Sequence, residues 1–266
     1  WGTEVPGDSD HVMYVWFDAL TNYINTLSDW DTGGDNFKKY WVDGEPTQYC
    51  GKDNTRFQSA MWQAMLMAAG LPNSHKIVVN GFITAEGGVK MSKTLGNVVD
   101  PKDIVAEYGT DALRYFLLRE VSSFEDSPFT MERFKDAYNS GLANGLGNLV
   151  SRVLAMSENY LPDTAFRAVV LGFISSIELD NFDIKKYVDN VWNKIQILDK
   201  KIQEQEPYKV FKTDPEKAKV IVGELCAGLA EVASLLKPIL PDTSSNILAC
   251  LVGNKKPEKP LFLRKD

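Results

Sequence analysis

Residues 47–81 read TQYCGKDNTRFQSAMWQAMLMAAGLPNSHKIVVNG, and this stretch decides the fold class of the N-terminal part of the chain. Thr47–Gly51 is a short run that ends in glycine, and Lys76–Gly81 is rich in β-branched residues, so both predict strands. Asn54–Ala69, with its Met, Ala, Gln and Leu residues, predicts a helix that ends at Gly70. Because strand, helix and strand alternate, the stretch predicts a parallel sheet and an α/β fold.

The α/β pattern extends to both sides of this stretch. Met13–Trp16 (MYVW) is short, β-branched and aromatic, which predicts a buried strand. Phe82–Val89 contains the pair Gly87–Gly88 and predicts a hairpin-like turn. The sequence therefore predicts that about the first 110 residues form the α/β region.

After Asp100–Pro101 the strand signal nearly vanishes and helical patterns take over. Helices are predicted over residues 103–108, 111–120, 131–160, 182–206 and 215–240. Thr130 is a predicted N-cap of the third helix, and Pro238 and Pro241 are predicted to close the last one. Gly253–Asp266 is rich in Lys and Pro and is predicted to be extended. The predicted fold class is α/β followed by all-α.

The 266 residues carry a net charge of −7, which is unevenly distributed. Residues 1–45 hold nine acidic and two basic residues and so carry the whole excess, whereas residues 46–266 are balanced. A polyanionic partner therefore stays possible over the later part of the chain. No apolar run approaches the ~20 residues that a membrane span needs, so we expect no membrane partner.

Cysteine and histidine are scarce in the sequence. Cys50, Cys226 and Cys250 are odd in number and widely spaced, which argues against a disulfide scaffold and favours a reducing compartment. No two cysteines form a CxxC pair, and His11 and His75 are the two histidines. We therefore expect no zinc site in this chain.

Residues 90–97, KMSKTLGN, are the segment most indicative of chemistry. Lys90 and Lys93 stand three apart after Gly87–Gly88, so that two ammonium groups can lie on one side of a turn. Flexible positive charges suit a triphosphate, because cleavage moves negative charge onto the departing pyrophosphate. For two lysines at this spacing alone, a solvated surface loop is the alternative.

The segment KMSKTLGNVVDP resembles the KMSKS signature of class I aminoacyl-tRNA synthetases, with Thr94 in the last signature position. The leucine, valine, isoleucine and cysteine enzymes carry versions of the same signature. Met13–Tyr23 resembles the strand and turn that line the methionine pocket of methionyl-tRNA synthetases. Gly51-Lys52-Asp53, followed by Arg56-Phe57 and Trp62, resembles another segment of that family. These matches occur in the family's order, and a less specific resemblance covers the rest of the chain.

The resemblance implies two small-molecule sites. The implied methionine-binding residues are Trp16, Ala19, Leu20, Tyr23, Asn54 and Gln58. The implied ATP-binding residues are Gly51, Asp53, Lys90, Met91, Ser92, Lys93 and Thr94. Among these, Lys93 and Lys90 are the implied catalytic residues, which stabilise phosphate charge. Aromatic surface suits a thioether, and a carboxylate at the end of a parallel strand suits ribose hydroxyls.

Two of these positions depart from the family pattern, and others have ordinary structural alternatives. Many relatives have an apolar residue in place of Asn54 and a histidine in place of Gln58. Gln58 can donate a hydrogen bond but cannot titrate, and Asn54 makes the pocket floor more polar. An aromatic core is the alternative for Trp16 and Tyr23, and a helix N-cap is the alternative for Asp53.

The helical half resembles an anticodon-binding bundle, and the resemblance implies that Asn148, Arg152 and Tyr208 bind the CAU anticodon. Asn148 and Arg152 stand at i and i+4 and so share a helix face. Tyr208 replaces the usual tryptophan but can still stack on an unpaired base. Candidate phosphate contacts, or else a solvated face, are Lys200, Lys201, Lys209, Lys212, Lys217 and Lys219. Pro260–Phe262 and Arg264 resemble a tail that packs back on the enzyme.

By the same resemblance we expect three regions. Residues 1–108 would be the C-terminal half of a Rossmann-like catalytic domain with the KMSKS-like loop. Residues 109–135 would be a stem-contact linking region, and residues 136–266 an anticodon-binding helical bundle with a C-terminal tail. The family's HIGH signature and connective insertion are absent from the sequence. We therefore expect a C-terminal portion that needs an N-terminal HIGH-containing segment and is inactive without it.

The implied function is that of a methionine–tRNA ligase, which activates methionine with ATP and Mg²⁺ and transfers it to tRNA(Met). The expected partners are methionine, ATP, tRNA(Met) and the N-terminal segment. The cytoplasm is the expected location, with an organellar matrix as the alternative. Another class I synthetase, of the leucine or valine type, and a non-catalytic tRNA-binding fragment are the alternative functions.

Overall fold

The chain divides into two units, Trp1–Phe82 and Ile83–Asp266. The computed structural model describes residues 2–27, 30–92, 94, 96–162 and 179–265. The strands of the first unit are β1 (Glu4–Val5), β2 (Asp8–Val12), β3 (Thr47–Gly51) and β4 (Lys76–Asn80). Its α-helices are α1 (Val15–Ala19), α2 (Asn22–Asn25), α3 (Asp35–Phe37) and α4 (Trp62–Ala68). A 3₁₀ turn at Lys52–Asn54 and π-helical turns at Lys38–Val42 and Phe57–Met61 complete the unit.

The predicted strand–helix–strand unit is present. β3 and β4 pair in parallel, with Thr47 opposite Lys76 and Gly51 opposite Asn80, and the helix that ends with α4 connects them. That helix stops at Gly70, whose φ of 69° is a left-handed conformation that glycine adopts without steric cost. The predictions for residues 47–81 are therefore confirmed.

The predicted buried strand at Met13–Trp16 is wrong. β2 ends at Val12 and α1 begins at Val15, while the side chains of Met13 and Tyr14 are exposed. A strand needs a neighbour that pairs with its backbone N–H and C=O groups. Within the described residues β2 pairs with β1 and β3 pairs with β4, so no strand lies beside Met13–Trp16. These residues enter a helical turn instead.

A small apolar core holds α1 and α2 against α4. Its buried members are Leu20, Ile24, Phe37, Trp41, Phe57, Trp62 and Leu66. The rings of Trp41 and Trp62 meet edge to face at 6.1 Å, and Trp41 Nε1 donates a hydrogen bond to the carbonyl of Pro72 at 2.9 Å. This bond fixes the loop that follows α4 against the same core.

The second unit is mostly helical. Its described residues form the strands β5 (Ile83–Thr84) and β6 (Ser127–Pro128), which pair in parallel. Its α-helices are α5 (Pro101–Tyr108), α6 (Thr110–Tyr115), α7 (Met131–Ala137), α8 (Asn148–Tyr160), α9 (Ile184–Gln205), α10 (Pro207–Thr213), α11 (Pro215–Leu236) and α12 (Pro241–Gly253). A π-helical segment at Phe116–Glu120 continues α6. Another at Tyr138–Gly147 joins α7 to α8. The fold class, α/β followed by helices, is confirmed.

The predicted helix over residues 131–160 is confirmed as the continuous run from α7 to α8. Thr130 caps it, because its Oγ1 accepts a hydrogen bond from the Arg133 backbone N–H at 3.1 Å. The last predicted helix ends at Leu236 rather than at residue 240, and Pro241, which was predicted to close that helix, begins α12. Sequence analysis missed α12, because Pro241 at its first helical position was interpreted as the end of the preceding helix. It also made no prediction of α10, which follows α9 directly.

Side-chain contacts define the directions of the bundle helices. Gly141 contacts Trp192 and Arg152 contacts Asp199, so α9 runs parallel to the helix that ends with α8. Lys194 of α9 pairs with Glu231 of α11, and Lys201, further along α9, pairs with Glu224, which comes earlier on α11. α11 therefore runs antiparallel to α9. One apolar core, built from the inner faces of these helices, fills the unit.

The C-terminal residues form an extended segment that packs back on this bundle, as expected for the tail. Asn139 and Lys265 exchange two hydrogen bonds, at 2.7 and 2.9 Å, and the Phe262 ring contacts Tyr138 edge to face. Over the described stretches, the helices are too short or too polar to cross a bilayer.

Candidate functional site

An aromatic cluster in the first unit contains several of the predicted methionine-binding residues. The rings of Trp16 and Phe57 stack at 4.3 Å, and the Tyr23 ring lies 5.9 Å from that of Trp62. Gln58 Nε2 donates a hydrogen bond to the Tyr23 hydroxyl oxygen at 2.7 Å. α1 and α2 supply the tryptophan and the tyrosine, and the π-helical turn before α4 supplies Phe57 and Gln58.

Gln58 is the most deeply placed polar group of this cluster. Its side chain is 3% exposed, and its Oε1 has no hydrogen-bond partner among the described residues. Leu20 is buried in the core beside it, whereas Ala19 is exposed and Asn54 is half-buried at the end of its 3₁₀ turn. The structure therefore joins Trp16, Leu20, Tyr23 and Gln58 through one core, and places Ala19 at the surface.

A cavity of about 590 Å³ in this unit does not coincide with the predicted pocket. Its walls are Phe17, Thr21 and Ile24 from α1 and α2, and Met61 and Met65 from the helix of α4, among others. None of the six predicted methionine-binding residues lines it. The prediction of a methionine site is therefore based on the aromatic cluster and not on this cavity.

The carboxyl end of β3 carries the predicted ribose site. A Cβ at Gly51 would lie 3.0 Å from Asp53 Oδ1, so the absence of a side chain at 51 lets the carboxylate approach the strand end. Asp53 is exposed, as a residue that binds a sugar hydroxyl must be. Burial raises the pKa of the neighbouring Cys50 thiol, a hydrogen bond to Thr55 opposes the rise, and the negative charge of Asp53 adds to it.

In the second unit, a glycine turn and the side chain of Asn97 hold the two ends of the KMSKT segment. Gly87 and Gly88 have φ of 70° and 78°, and the turn they make brings Thr84 opposite Lys90 in an antiparallel bridge. The Ser92 N–H donates to Asn97 Oδ1 at 2.8 Å, and Asn97 Nδ2 donates to the Lys90 carbonyl at 3.3 Å. This arrangement fixes both ends of the segment between residues 90 and 97.

The side chains of this loop differ in placement. Met91 packs against the core of the second unit, Ser92 is half-buried, and Lys90 and Thr94 are exposed. Lys93, the predicted catalytic residue, lies outside the described residues. Within the described part of the chain no group of three or more His, Cys, Asp or Glu side chains could hold a metal ion.

The predicted anticodon residues Asn148 and Arg152 lie on one face of α8. Asn148 is exposed, and Arg152 Nη1 contacts Asp199 Oδ1 of α9 at 2.5 Å, where both side chains are about one-third exposed. Gln203 Nε2 donates to the other oxygen of Asp199 at 2.6 Å. One carboxylate therefore holds the guanidinium and a carboxamide side by side in the groove between α8 and α9.

Tyr208 lies at the start of α10, where its ring is 45% exposed. Its hydroxyl donates to Glu206 Oε1 at 3.2 Å, and Lys209 Nζ donates to the same oxygen at 2.6 Å. The hydrogen bond from Lys209 is the main cause of a lowered pKa of Glu206. A ring with one open face and a tethered hydroxyl is suited to stacking on a base.

Most of the lysines predicted around Tyr208 already have acidic partners. The pairs are Lys200–Glu204, Lys201–Glu224, Lys209–Glu206 and Lys219–Glu216. Lys212 and Lys217 form no ion pair within the described residues. The phosphate-contact prediction stays open for all six lysines, since exposed ion pairs of this kind are weak.

Sequence reasoning did not identify Asp199 and Gln203. Both lie on α9, 47 and 51 positions beyond Arg152, so no local pattern connects them to it. The sequence feature that could have pointed to Asp199 and Gln203 is their spacing of four, which places both on one face of the predicted helix.

Comparisons with known proteins show which proteins this chain is similar to. Methionine–tRNA ligase of Caldanaerobacter subterraneus subsp. tengcongensis is 38% identical over 259 residues, a match that covers 91% of this chain and 40% of the relative. The ligase of Fusobacterium nucleatum is 35% identical over 263 residues, covering 93% of this chain and 41% of the relative. The chain spans about 40% of the length of these curated relatives.

A solved structure and a family model are also similar to this chain. The structure of Mycobacterium tuberculosis methionyl-tRNA synthetase in complex with methionyl-adenylate superposes with a TM-score of 0.79 at 29% identity, covering 99% of this chain and 58% of that chain. Residues 1–154 match the family model described as tRNA synthetases class I (M), which is more than half of the chain. The chain belongs to the class I methionyl-tRNA synthetase family.

Proposed function

We propose that the protein of which this chain forms part ligates methionine to tRNA(Met) with ATP. The observation that carries this proposal is the hydrogen bond of the buried Gln58 to Tyr23, beside the stacked rings of Trp16 and Phe57. Aromatic surface with a single hydroxyl suits an unbranched thioether, because sulfur makes favourable contacts with ring edges and accepts a weak hydrogen bond.

Gln58 acts in this proposal as a positioning residue for Tyr23. Because its Nε2 donates to the Tyr23 oxygen, the hydroxyl hydrogen of Tyr23 is directed elsewhere and is available to the methionine sulfur. A glutamine does not titrate, so the donor group that Gln58 offers to Tyr23 does not change with pH. Ala19 and Asn54 complete the proposed methionine site at its rim.

Adenylate formation uses the remaining predicted residues. Gly51 leaves room for the ribose, whose hydroxyls donate to Asp53. Lys90 and Lys93, with Met91, Ser92 and Thr94 of the same loop, bind the triphosphate. The methionine carboxylate attacks the α-phosphate, pyrophosphate leaves, and the lysine ammonium groups stabilise its charge. Mg²⁺ enters with ATP and neutralises part of the phosphate charge.

The bundle of the second unit selects the tRNA in this proposal. Asn148 and Arg152 donate hydrogen bonds to anticodon bases, and Tyr208 stacks on one of them. The N-terminal segment with the HIGH signature completes the adenylation site and joins the first unit. The cytoplasm is the proposed location, and an organellar matrix is the alternative.

ATP–pyrophosphate exchange tests the activity when this chain is produced together with the N-terminal segment of a relative. We expect exchange stimulated by methionine and not by leucine or valine. Lys93→Ala should slow exchange about 100-fold or more, because one lost stabiliser of transition-state charge has this size. The control Lys102→Ala changes a lysine outside the loop and should exchange normally. Stimulation by leucine would replace the proposal with the related leucine enzyme.

A non-catalytic tRNA-binding role is the second candidate. It is favoured by the placement of Asn148, Arg152 and Tyr208, which all lie in the second unit. Binding of tRNA(Met) by this chain alone, without exchange activity after addition of the N-terminal segment, would favour this role. Arg152→Ala should weaken that binding, and an unchanged affinity would contradict the anticodon assignment.

A further inference from the structure

Asn97 lies just beyond the KMSKT segment and has no role in the adenylation and anticodon contacts proposed above. Its side chain is half-buried, and both ends of its carboxamide contact the backbone of that segment. Oδ1 accepts a hydrogen bond from the Ser92 N–H at 2.8 Å, and Nδ2 donates to the Lys90 carbonyl at 3.3 Å. One side chain therefore binds the backbone groups on both sides of Met91.

This pairing is the one that a neighbouring β-strand would make. In an extended chain, the carbonyl before a residue and the N–H after it face the same edge, where an adjacent strand pairs with both. The Asn97 carboxamide has the donor and the acceptor of a peptide group, and it takes the place of that strand. It thereby holds residues 90–92 in an extended conformation.

The opposite edge of the same stretch is paired with backbone. The Ala85 N–H donates to the Val89 carbonyl at 2.7 Å, and Thr84 of β5 lies opposite Lys90 in an antiparallel bridge. Carbonyls of consecutive extended residues point to opposite edges, so that of Val89 faces β5 and that of Lys90 faces Asn97. The stretch is therefore held from both edges, and Asn97 supplies the edge that β5 does not reach.

The extended conformation determines where the side chains of this stretch point. Side chains alternate between two faces along an extended chain, so Lys90 and Ser92 share one face and Met91 takes the other. Met91 packs against the core of the second unit, whereas Lys90 is exposed and Ser92 is half-buried. Lys90 and Ser92 are thus presented together on the outer face, and both belong to the proposed triphosphate site.

An asparagine meets the requirements of this position closely. An aspartate would offer two acceptors and set an oxygen against the Lys90 carbonyl, and a leucine of similar size would offer neither contact. Water could satisfy the Lys90 carbonyl, because its contact with Asn97 lies at the surface. What the carboxamide adds is therefore a fixed conformation rather than the satisfaction of a buried group.

We infer that Asn97 is a positioning residue for adenylate formation, whose carboxamide keeps the Lys90 and Ser92 side chains on the face where the triphosphate binds. The inference rests on the proposed function, since it takes the ligand of that face to be ATP. Asn97 acts through Lys90 and Ser92, which lose less conformational freedom on binding phosphate because their backbone is already fixed.

Amide hydrogen exchange in the full 266-residue chain tests the carboxamide contacts without reference to activity. Asn97→Ala removes the acceptor of the Ser92 N–H, so this amide should exchange about fivefold faster or more. Asn159→Ala is the matched control, because Asn159 Nδ2 also donates to a backbone carbonyl, that of Ala155 at 2.8 Å on α8. The control should leave the exchange of Ser92 unchanged. Equal Ser92 exchange in Asn97→Ala and in the original chain would overturn the inference.

ATP–pyrophosphate exchange, after addition of the N-terminal segment, tests the positioning role. We expect Asn97→Ala to lower kcat/KM for ATP about tenfold and to leave KM for methionine unchanged, because only the phosphate-binding side chains lose their fixed conformation. Asn159→Ala should leave both values unchanged. An unchanged kcat/KM for ATP in Asn97→Ala would overturn the positioning role, and so would a raised KM for methionine, because the change would then reach beyond the phosphate-binding face.

Failure of the proposed function has a different signature. If the original chain shows no methionine-dependent exchange after addition of the N-terminal segment, the proposed function is overturned together with the positioning role. The exchange rates of the Ser92 amide then still decide whether Asn97 holds the segment extended.

Discussion

The two units differ in how fully their own residues cover apolar surface. In the second unit, the inner faces of the helices form one continuous core. In the first unit, a run of large side chains stays exposed around the end of β2 and α1: Val12, Met13, Tyr14, Val15 and Phe17. An exposed apolar run of this size marks an interaction surface in most proteins. The comparison indicates that the described helices of the bundle cover most of their apolar surface themselves, whereas the first unit keeps an exposed apolar run that is a candidate interaction surface.

The two units also differ in how many buried polar atoms per residue lack a hydrogen-bond partner. In the first unit, Gln48 Nε2, Gln58 Oε1 and Trp62 Nε1 have no hydrogen-bond partner among the described residues. The described part of the second unit, with more than twice the length, has the same number of such side chains. Because each unsatisfied buried group costs about 1–3 kcal/mol, the first unit carries the larger penalty per residue.

The largest expected effect is on the core of the bundle. Leu225 is fully buried on α11, so Leu225→Ala should lower the free energy of unfolding by about 2–5 kcal/mol. Urea unfolding followed by circular dichroism at 222 nm measures the change. Val220→Ala, on the same helix but 62% exposed, should change it by less than about 0.5 kcal/mol. A similar loss in both variants would show that α11 is not the centre of the core.

A smaller effect is expected from pH. Burial raises the pKa of Tyr115 in the second unit from 10 to about 12, and the positive charge of Arg119 opposes the rise. The folded state thus holds the phenol proton more tightly than the unfolded state. The stability from this group is complete below pH 10 and is lost as pH rises through 12, by about 2–3 kcal/mol.

Tyr115→Phe tests this pH dependence. Over the same pH window the variant should lose about 2–3 kcal/mol less stability than the original chain, by urea unfolding. Tyr14→Phe, an exposed tyrosine of the first unit, should keep the original pH dependence. Parallel pH profiles for all three proteins would contradict the assignment to Tyr115.

Sequence reasoning succeeded where a structure depends on neighbours along the chain. β3, β4 and the Thr130 cap follow from local propensity and capping, so they were predicted with correct or nearly correct bounds. Met13–Trp16 has an equally good strand pattern, but a strand forms only beside another strand, and the described residues provide none there. α12 was missed because Pro241 both follows one helix and begins the next.

The candidate sites show the same limit. The spacing of Asn148 and Arg152 placed them on one face, as the structure has them, but the carboxylate of Asp199 that holds Arg152 comes from a helix 47 residues away. Tyr23 and Gln58 are 35 residues apart, and nothing in the sequence alone predicted their hydrogen bond. Functional residue types were therefore predictable, whereas their partners were not.

Binding of the anticodon hairpin compares the two units further, because the proposed anticodon residues Asn148, Arg152 and Tyr208 all lie in the second unit. Tyr208→Ala should weaken hairpin binding by about 1–3 kcal/mol, which is the usual value of one base–aromatic stack. Tyr208→Trp should strengthen it, because the indole offers more ring area. Tyr40→Ala, the same change at an exposed tyrosine of the first unit, should leave the affinity unchanged, as measured by fluorescence anisotropy. Equal affinities for Tyr208→Ala and Tyr40→Ala would contradict the stacking role.

The smallest stability change is expected at Val15, where the comparison of the units is tested most directly. Val15 is 66% exposed, so Val15→Asp should change the free energy of unfolding of this chain by less than about 0.5 kcal/mol.

If the N-terminal segment covers the run from Val12 to Phe17, the same variant should lose methionine-dependent exchange on complementation, because burying an unpaired carboxylate is costly. Val220→Asp makes the same change at a valine of similar exposure in the second unit and should retain exchange. Normal exchange by Val15→Asp would mean that the exposed run belongs to the free surface of the finished enzyme, and that the first unit is as complete as the bundle.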